Sequence, residues 1–549
     1  MKVGPMISII WLILEGNKSE ETMNLLFLSA LATVSYGYKV VVLAPAISNS
    51  QLAVNKRVAE GLAEAGHDVT LVLLKYMEGL EEFVKISPKV KVHPVNATIG
   101  VHKQVMEKMQ APLIFNEVPI WDGRQWNLMK RMMGMLSEGC RQTLKNKEFM
   151  KWLKDEKFDV AFPHMYSLCA VGLVRAAEIP TWVWLNSGAI MDYVATLVGV
   201  PLIPSYVPPM VMQSTDTMTF YERTKSFVGH GLMKLIWPRN IPVTETQIFR
   251  EEFDPNFPDL LDIASECPLV MAMSNTLYEM PRPTLAKVVN IGGIGIQFKD
   301  AKPLTGEFAK IVDNAKGIIV FSFGSVAAAH EMPEKMKHEF IEAFKELPDY
   351  HILMRYEAND LDDVKPKNLH LFKWLPQPDL LAHNKTVAFI THAGYNSIQE
   401  SLTAGVPMIT MPLFGDQSKN SMMAKKHGIS VHLGKGTVSK ETVVAAIQEI
   451  IDNPEYAHKA KRMSAMVKKS PVSPEQLLVK WTEFVAEFKT LENLVPAGQK
   501  LNFFQYHSLD VIAFLLGTIL TVLYILYRVI KALVCCTYRR LVPTKAKKE

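Results

Sequence analysis

Short, nearly unbroken apolar runs separated by helix-like stretches dominate this chain, and they restrict it to a narrow class of folds. KVVVLAP (39–45) leads through LAVNKRVAEGLAEAG to HDVTLVLL (67–74). In the middle stretch Leu52, Val58, Leu62 and Ala65 recur at helical spacing, and Gly66 supplies a stop. FDVAFPH (158–164) and TWVWLNS (181–187) read as further buried strands. Prolines cluster between Leu202 and Pro209, as in a long surface connection, and VNIGGIGI (289–296) reads as a hinge before a second series. That series runs GIIVFSFGS (317–325), HILMRY (351–356), LHLFKW (369–374), VAFIT (387–391) and VPMITMP (406–412). Apolar strands alternating with helices argue for parallel sheets covered on both faces. The expectation is an α/β chain of two Rossmann-like domains facing a cleft, 38–288 and 289–500. The amphipathic, Met-rich region 105–150 is expected to lie over the first half.

In open parallel sheets ligands bind beyond the carboxyl ends of the strands. Three successive strands of the second half deliver KWLPQPD, THAGYNS and PLFGDQ to that edge. Gly394 lets backbone approach an anion, and a helix starting near Asn396-Ser397 points its free amides at the same spot. His392, Asn396 and Ser397 add donors there. Ser397 to Glu400 also spells a capping box, S-x-x-E, so Glu400 has two readings: a helix cap, or an acceptor for two ribose hydroxyls. Trp374 is either core or a flat platform for a base, with Gln377 beyond it to reach polar edges. Asp416 and Gln417 offer a carboxylate and an amide, the mix that reads sugar hydroxyls. Gly324 and Ser325 follow the first strand of this half and add donors near phosphates.

The set W-x-P-Q from Trp374, H-x-G-x-N-S-x-x-E from His392, G-V-P at Gly405 and D-Q at Asp416 resembles the signature of the UDP-glycosyltransferases. With FFQYHSLDVIAFLL and its basic tail the chain resembles the membrane-bound animal type, and IPTWVWLNSG and FSFGSVAAAH look nematode-like. The resemblance implies a GT-B fold, a UDP-sugar in the second half and an acceptor in the first. It implies transfer with inversion and without a metal or other cofactor. By the same resemblance Trp374 stacks on uracil and Glu400 holds ribose. His392, Asn396 and Ser397 hold phosphate, and Asp416 with Gln417 reads the sugar. UDP-glucose is favoured over UDP-glucuronate, and the acceptor is expected to be small and lipophilic.

The first half departs from that pattern. A histidine base is expected after the first strand and an aspartate after a later one. Gln51, in SNSQLAVNKR, stands at the histidine position and His164 at the aspartate position. An amide has no titratable site near neutral pH, so three readings stay open. His164 is itself the base, or the acceptor needs none, or turnover is lost and the chain is a UDP-sugar-binding partner of other family members, in a homo- or hetero-oligomer.

Targeting segments set the compartment. Val511–Tyr527, VIAFLLGTILTVLYILY, is 17 uncharged residues, about the minimum for a bilayer span of roughly 17–25 residues. Arg528, Lys531, Arg539 and Arg540 follow it, which places the carboxyl terminus in the cytosol, with a span over 509–530 and a basic tail over 531–549. Residues 1–37 read as a signal region, with Met23 as an alternative start. The body would then be luminal, and Lys545 and Lys547 fit a retrieval signal of the endoplasmic reticulum. Asn96 and Asn384 head N-x-T triplets and are glycan acceptor candidates. The formal net charge of +5 is small for 549 residues and sits mostly in the tail, so no nucleic-acid surface is expected. The five cysteines show no paired spacing for zinc or for a disulfide framework.

Overall fold

The computed structural model describes residues 37–79, 85–119, 122–240, 242–296 and 303–541. The signal region through residue 36 and the tail with Lys545 and Lys547 lie outside the described residues. The chain forms two compact units, one running through Leu494 and one from Val495 onward.

The first unit holds two parallel sheets. In the first half β1 (Lys39–Ala46), β2 (Asp68–Lys75), β3 (Lys91–Asn96) and β4 (Val160–Pro163) pair in the order β3-β2-β1-β4. Then β5 (Val183–Asn186), β6 (Leu269–Ala272) and β7 (Val288–Asn290) pair in sequence. Single bridges at Ala161–Trp182 and His164–Leu185 carry the pairing from β4 to β5, so seven strands follow one another in a parallel array. The second half is a six-stranded sheet. Its strands are β8 (Gly317–Ser322), β9 (Tyr350–Arg355), β10 (Leu369–Phe372), β11 (Thr386–Thr391), β12 (Met408–Thr410) and β13 (Ser430–His432), in the order β10-β9-β8-β11-β12-β13.

Side chains alternate across a strand, so an unbroken apolar run must be buried on both faces. In β1, Val41 and Leu43 join one core while Val40, Val42 and Ala44 join another on the opposite face. In β8, Ile319 and Phe321 face one core and Ile318 and Val320 the other. Helix α1 (Asn49–Glu64) covers one face of the first sheet with Val54, Val58 and Leu62.

The Met-rich region folds into α2 (Lys103–Ile114) and α3 (Gly123–Lys145). Only part of it stays on the first half. Ala111 and Ile114 of α2, with Phe115, enter a core of the second half, and the Lys435 ammonium donates to the Ile114 carbonyl at 2.8 Å. Helix α3 is tied to α4 (Cys169–Ala176) by a disulfide between Cys140 and Cys169. This corrects the expectation of no disulfide. The two cysteines are 29 residues apart, and only the packing of α3 over the sheet edge brings them together. The Glu245 carboxylate, on α5 (Pro242–Glu252), is fully buried and accepts from the Leu168 amide at 2.8 Å, just before α4.

In the second half α6 (Gln377–Ala382), α7 (Tyr395–Ala404), α8 (Gln417–Lys426) and α9 (Pro454–Lys468) follow their strands. Then the chain returns. Helix α10 (Pro474–Phe488) sits in the range expected for the second half, yet its Leu478, Val485 and Ala486 fill a core of the first. The Thr181 hydroxyl donates to the Lys489 carbonyl at 2.6 Å. Residues 288–290, expected near the hinge, are a paired strand instead.

In the second unit α11 (Leu509–Leu541) is a helix of 33 residues, apolar and long enough to cross a membrane. It extends past the expected end at 530, through the basic residues Lys531, Arg539 and Arg540.

Candidate active site

Glu400 organises the carboxyl edge of the second sheet. Helix α7 begins one turn earlier than the S-x-x-E pattern suggests: its N-cap is Gly394, and Ser397 already lies inside the helix. The capping box does not form. Gly394 has no side chain to cap with, and the Glu400 carboxylate points elsewhere. The Gln377 amide donates to one of its oxygens at 2.7 Å, and the Arg57 guanidinium lies 3.3 Å from the other. A helix start without a side-chain cap leaves main-chain donors for an anion. Ser397 is buried in this turn.

The His392 ring fills the slot between two glycines. A Cβ on Gly394 would approach its Nε2 to 2.5 Å, and one on Gly324 would approach its Cε1 to 2.6 Å. Burial first, and then the Arg355 guanidinium, push the ring down to about 4, so it is neutral at pH 7 and offers one donor and one acceptor. Beside it the Ser325 hydroxyl is buried, with no hydrogen-bond partner among the described residues. An orphaned donor of this kind calls for a ligand or water.

Trp374 is 51% exposed, so it is not a core residue. Its ring lies 5.5 Å from the Arg355 guanidinium, which in turn donates to the Gly324 carbonyl at 2.5 Å. One face of an indole is thereby backed by a cation at the strand end. Across the edge, burial raises the Asp416 carboxyl above its usual range, against the pull of Asn420, whose amide donates to it at 2.7 Å. The Gln417 side chain is less available than expected. Its Oε1 accepts from the Leu413 and Phe414 amides at 2.8 and 3.0 Å and so shapes its own loop.

On the first half, three strand ends bring together a polar cluster. Gln51 lies in the first turn of α1, after β1, and its Oε1 is buried without a partner among the described residues. His164 follows β4 and is 1% exposed. Its Nε2 is 2.7 Å from the Ser187 hydroxyl after β5, and its ring stacks on Tyr166 at 4.8 Å. Its Nδ1 has no partner among the described residues, and burial pushes the ring down to about 3. Burial and then the charge of Asp416 raise the Tyr166 phenol, while Gln51 and Ser187 pull it down. The Asp416 charge is therefore felt at the polar cluster of the first half.

Tyr166, Ser187 and Arg57 were not among the candidates from sequence. Ser187 closes one predicted strand and Tyr166 stands just past another, so the strand-end rule reaches both. Arg57 lies on a helix and carries no such signal. The glycan candidates Asn96 and Asn384 are both exposed.

Over residues 39–548 the sequence matches the family described as UDP-glucoronosyl and UDP-glucosyl transferase. Mouse UDP-glucuronosyltransferase 1A7 is 32% identical, over 87% of this chain and 93% of the mouse protein. The Caenorhabditis elegans putative UDP-glucuronosyltransferase ugt-47 is 30% identical, over 89% and 92%. Among solved structures the fold is similar to the glycotransferase of kitacinnamycin, with a TM-score of 0.54 at 15% identity over 84% of this chain and 100% of that one. It is also similar to Phytolacca americana UGT2 complexed with UDP-2fluoro-glucose and pterostilbene, with a TM-score of 0.53 at 14% identity over 83% and 100%.

Proposed function

This chain belongs to the UDP-glucuronosyl and UDP-glucosyl transferase family and is a UDP-glycosyltransferase of GT-B fold, and we propose that it moves a hexose, with inversion and without a metal, onto small lipophilic acceptors. The observation that carries the donor side is Glu400. A carboxylate not used to cap its own helix, held at the cleft edge by Gln377 on one oxygen and Arg57 on the other, has lone-pair sites left to accept from ribose hydroxyls. Trp374 then takes the uracil on its exposed face, and Asp416 with the remaining amide of Gln417 reads the sugar. The diphosphate falls at the start of α7, beside His392, Asn396, Ser397 and the orphaned Ser325 hydroxyl, where the helix dipole favours the charge that builds on the leaving UDP.

The acceptor binds on the first half, 38–288, and supplies its own nucleophile. His164 is spoken for: Nε2 meets Ser187, Nδ1 has no partner among the described residues, and burial pushes the ring down to about 3. Acceptors that ionise near neutral pH, or amines, need no stronger base. Glucose is the favoured sugar, and the mouse and Caenorhabditis elegans relatives, named as UDP-glucuronosyltransferases, make UDP-glucuronate the second donor to test.

We place the body in the lumen of the endoplasmic reticulum, with α11 as the single span. The Cys140–Cys169 disulfide supports this, because such bonds persist in oxidising compartments. The test is UDP release by membranes carrying the protein, given UDP-glucose or UDP-glucuronate with phenols of graded acidity and with amines. Release that depends on an acceptor and is lost in Asp416→Ala is the expected result. UDP binding without release under any pairing overturns the reading and leaves a binding subunit.

A further inference from the structure

Arg57 belongs to α1 of the first half, yet its guanidinium reaches the donor edge of the second. Its Nη2 is 3.3 Å from Glu400 Oε1 and its Nη1 is 3.3 Å from Asn396 Oδ1. The Asn396 amide crosses the other way and donates to the Ser50 carbonyl at 3.2 Å. The stem of Arg57 lies against the connection between the halves, where a Cβ on Gly295 would come within 2.9 Å of its Cγ. Both side chains that Arg57 touches are donor-binding candidates, one for ribose and one for phosphate.

We propose that Arg57 is a donor-binding residue supplied by the acceptor half, and that its guanidinium passes to the diphosphate when a UDP-sugar enters. The inference rests on the donor reading given above. Arg57 and Gln377 each use one site on the Glu400 carboxylate, and release of Arg57 opens a further site on Oε1 for the ribose hydroxyls. An incoming diphosphate is the anion that takes it, since it arrives at the start of α7 beside Asn396. The planar fork of arginine has five donors and suits a phosphate as well as a carboxylate. It also lies between two negative groups, Glu400 and the diphosphate, that would otherwise repel each other. Donor arrival thus exchanges one bond between the halves for another made through the ligand. The α1 helix that carries Arg57 also carries Gln51, so the contact fixes the acceptor face against the donor.

The test compares binding of uridine, UMP, UDP and UDP-glucose to the full-length protein in detergent, for wild type, Arg57→Gln and Arg57→Lys. Each variant is first checked by thermal melting. We expect Arg57→Gln to weaken UDP and UDP-glucose at least tenfold and uridine less than threefold, with Arg57→Lys in between because it keeps the charge without the fork. Unchanged or tighter UDP binding by Arg57→Gln would make the residue a simple latch and overturn the proposal. An equal loss for uridine would also overturn it, because the contact would then lie at the nucleoside. Failure of the wild type to bind UDP brings down the donor reading itself, which a defect confined to Arg57 does not.

Discussion

Replacing His164 with glutamine asks whether this buried histidine at the strand ends of the first half takes a proton during transfer. Burial holds its ring at about 3, against an ordinary value of 6.5. At pH 7 protonating it costs about 5 kcal/mol, at roughly 1.4 kcal/mol per unit. A well-matched general base contributes about 10²- to 10⁴-fold in rate, and a ring this reluctant forfeits that gain. Glutamine preserves a polar partner for Ser187, so the packing under Tyr166 survives the change. We expect kcat/KM for a phenol ionised near neutrality to fall by less than about fivefold relative to wild type. The rate should rise with pH along the acceptor's own ionisation. A phenol of pKa about 10 is about 1000-fold less ionised at pH 7 than an anion-ready one and should lag accordingly. The assay is UDP release under saturating donor, with melting temperature as the control for folding. A loss above 100-fold in kcat, with melting unchanged and equal for phenols of every acidity, would refute the reasoning. It would mean that the ring reaches the acceptor once both substrates are bound.

Three further outcomes can be checked. Glu245 is held at about 8 by burial, against 4.5 when exposed, so its protonated form suits the fold and stability is lost as pH rises from about 4.5 to 8. Glu245→Gln should abolish that fall, worth up to about 5 kcal/mol, in melting curves taken across the range. Trp374→Ala should weaken uridine and UDP alike, by about 10- to 100-fold, since base stacking is worth roughly 1–3 kcal/mol; titration of each ligand reads this directly. Cys140→Ser should lower stability by about 3–4 kcal/mol, because the disulfide closes a loop of 29 residues, and chemical denaturation measures it.

The long apolar strands were legible because burial on both faces leaves no alternation to misread. Nine of the thirteen strands announce themselves this way, among them β1, β8 and β11. The four that did not are instructive. β3 is a largely exposed edge strand containing Pro94, β7 is a three-residue strand that merges into the glycine-rich stretch read as a hinge, and β6 and β13 are four and three residues long, too short for any period. The loops of the candidate site were legible as a set because their glycines, hydrogen-bonding groups and carboxylates arrive at fixed spacing. Glu400 was ambiguous in sequence because S-x-x-E describes a cap only if the helix starts at serine, and Gly394 starts it earlier. Arg57 was invisible because its partners, Asn396 and Glu400, belong to the other half of the chain. The Cys140–Cys169 bond escaped for the same reason: proximity made by packing leaves no trace in spacing.

The return of α10 to the first half has a consequence for the order of synthesis. Chains emerge amino-terminus first, at about 5–20 residues per second, and domains ordinarily close as they emerge. Here the first sheet is complete once β7 is made, yet the slot for Leu478, Val485 and Ala486 stays open until the entire second half has been translated. During that interval the apolar side chains that α10 covers in the finished fold lack that cover. A gene fragment ending at residue 290 would leave that slot open permanently. Cutting instead after β7 and splicing in residues 474–494 would give the first half its missing wall, and the slot would be sealed without the second half.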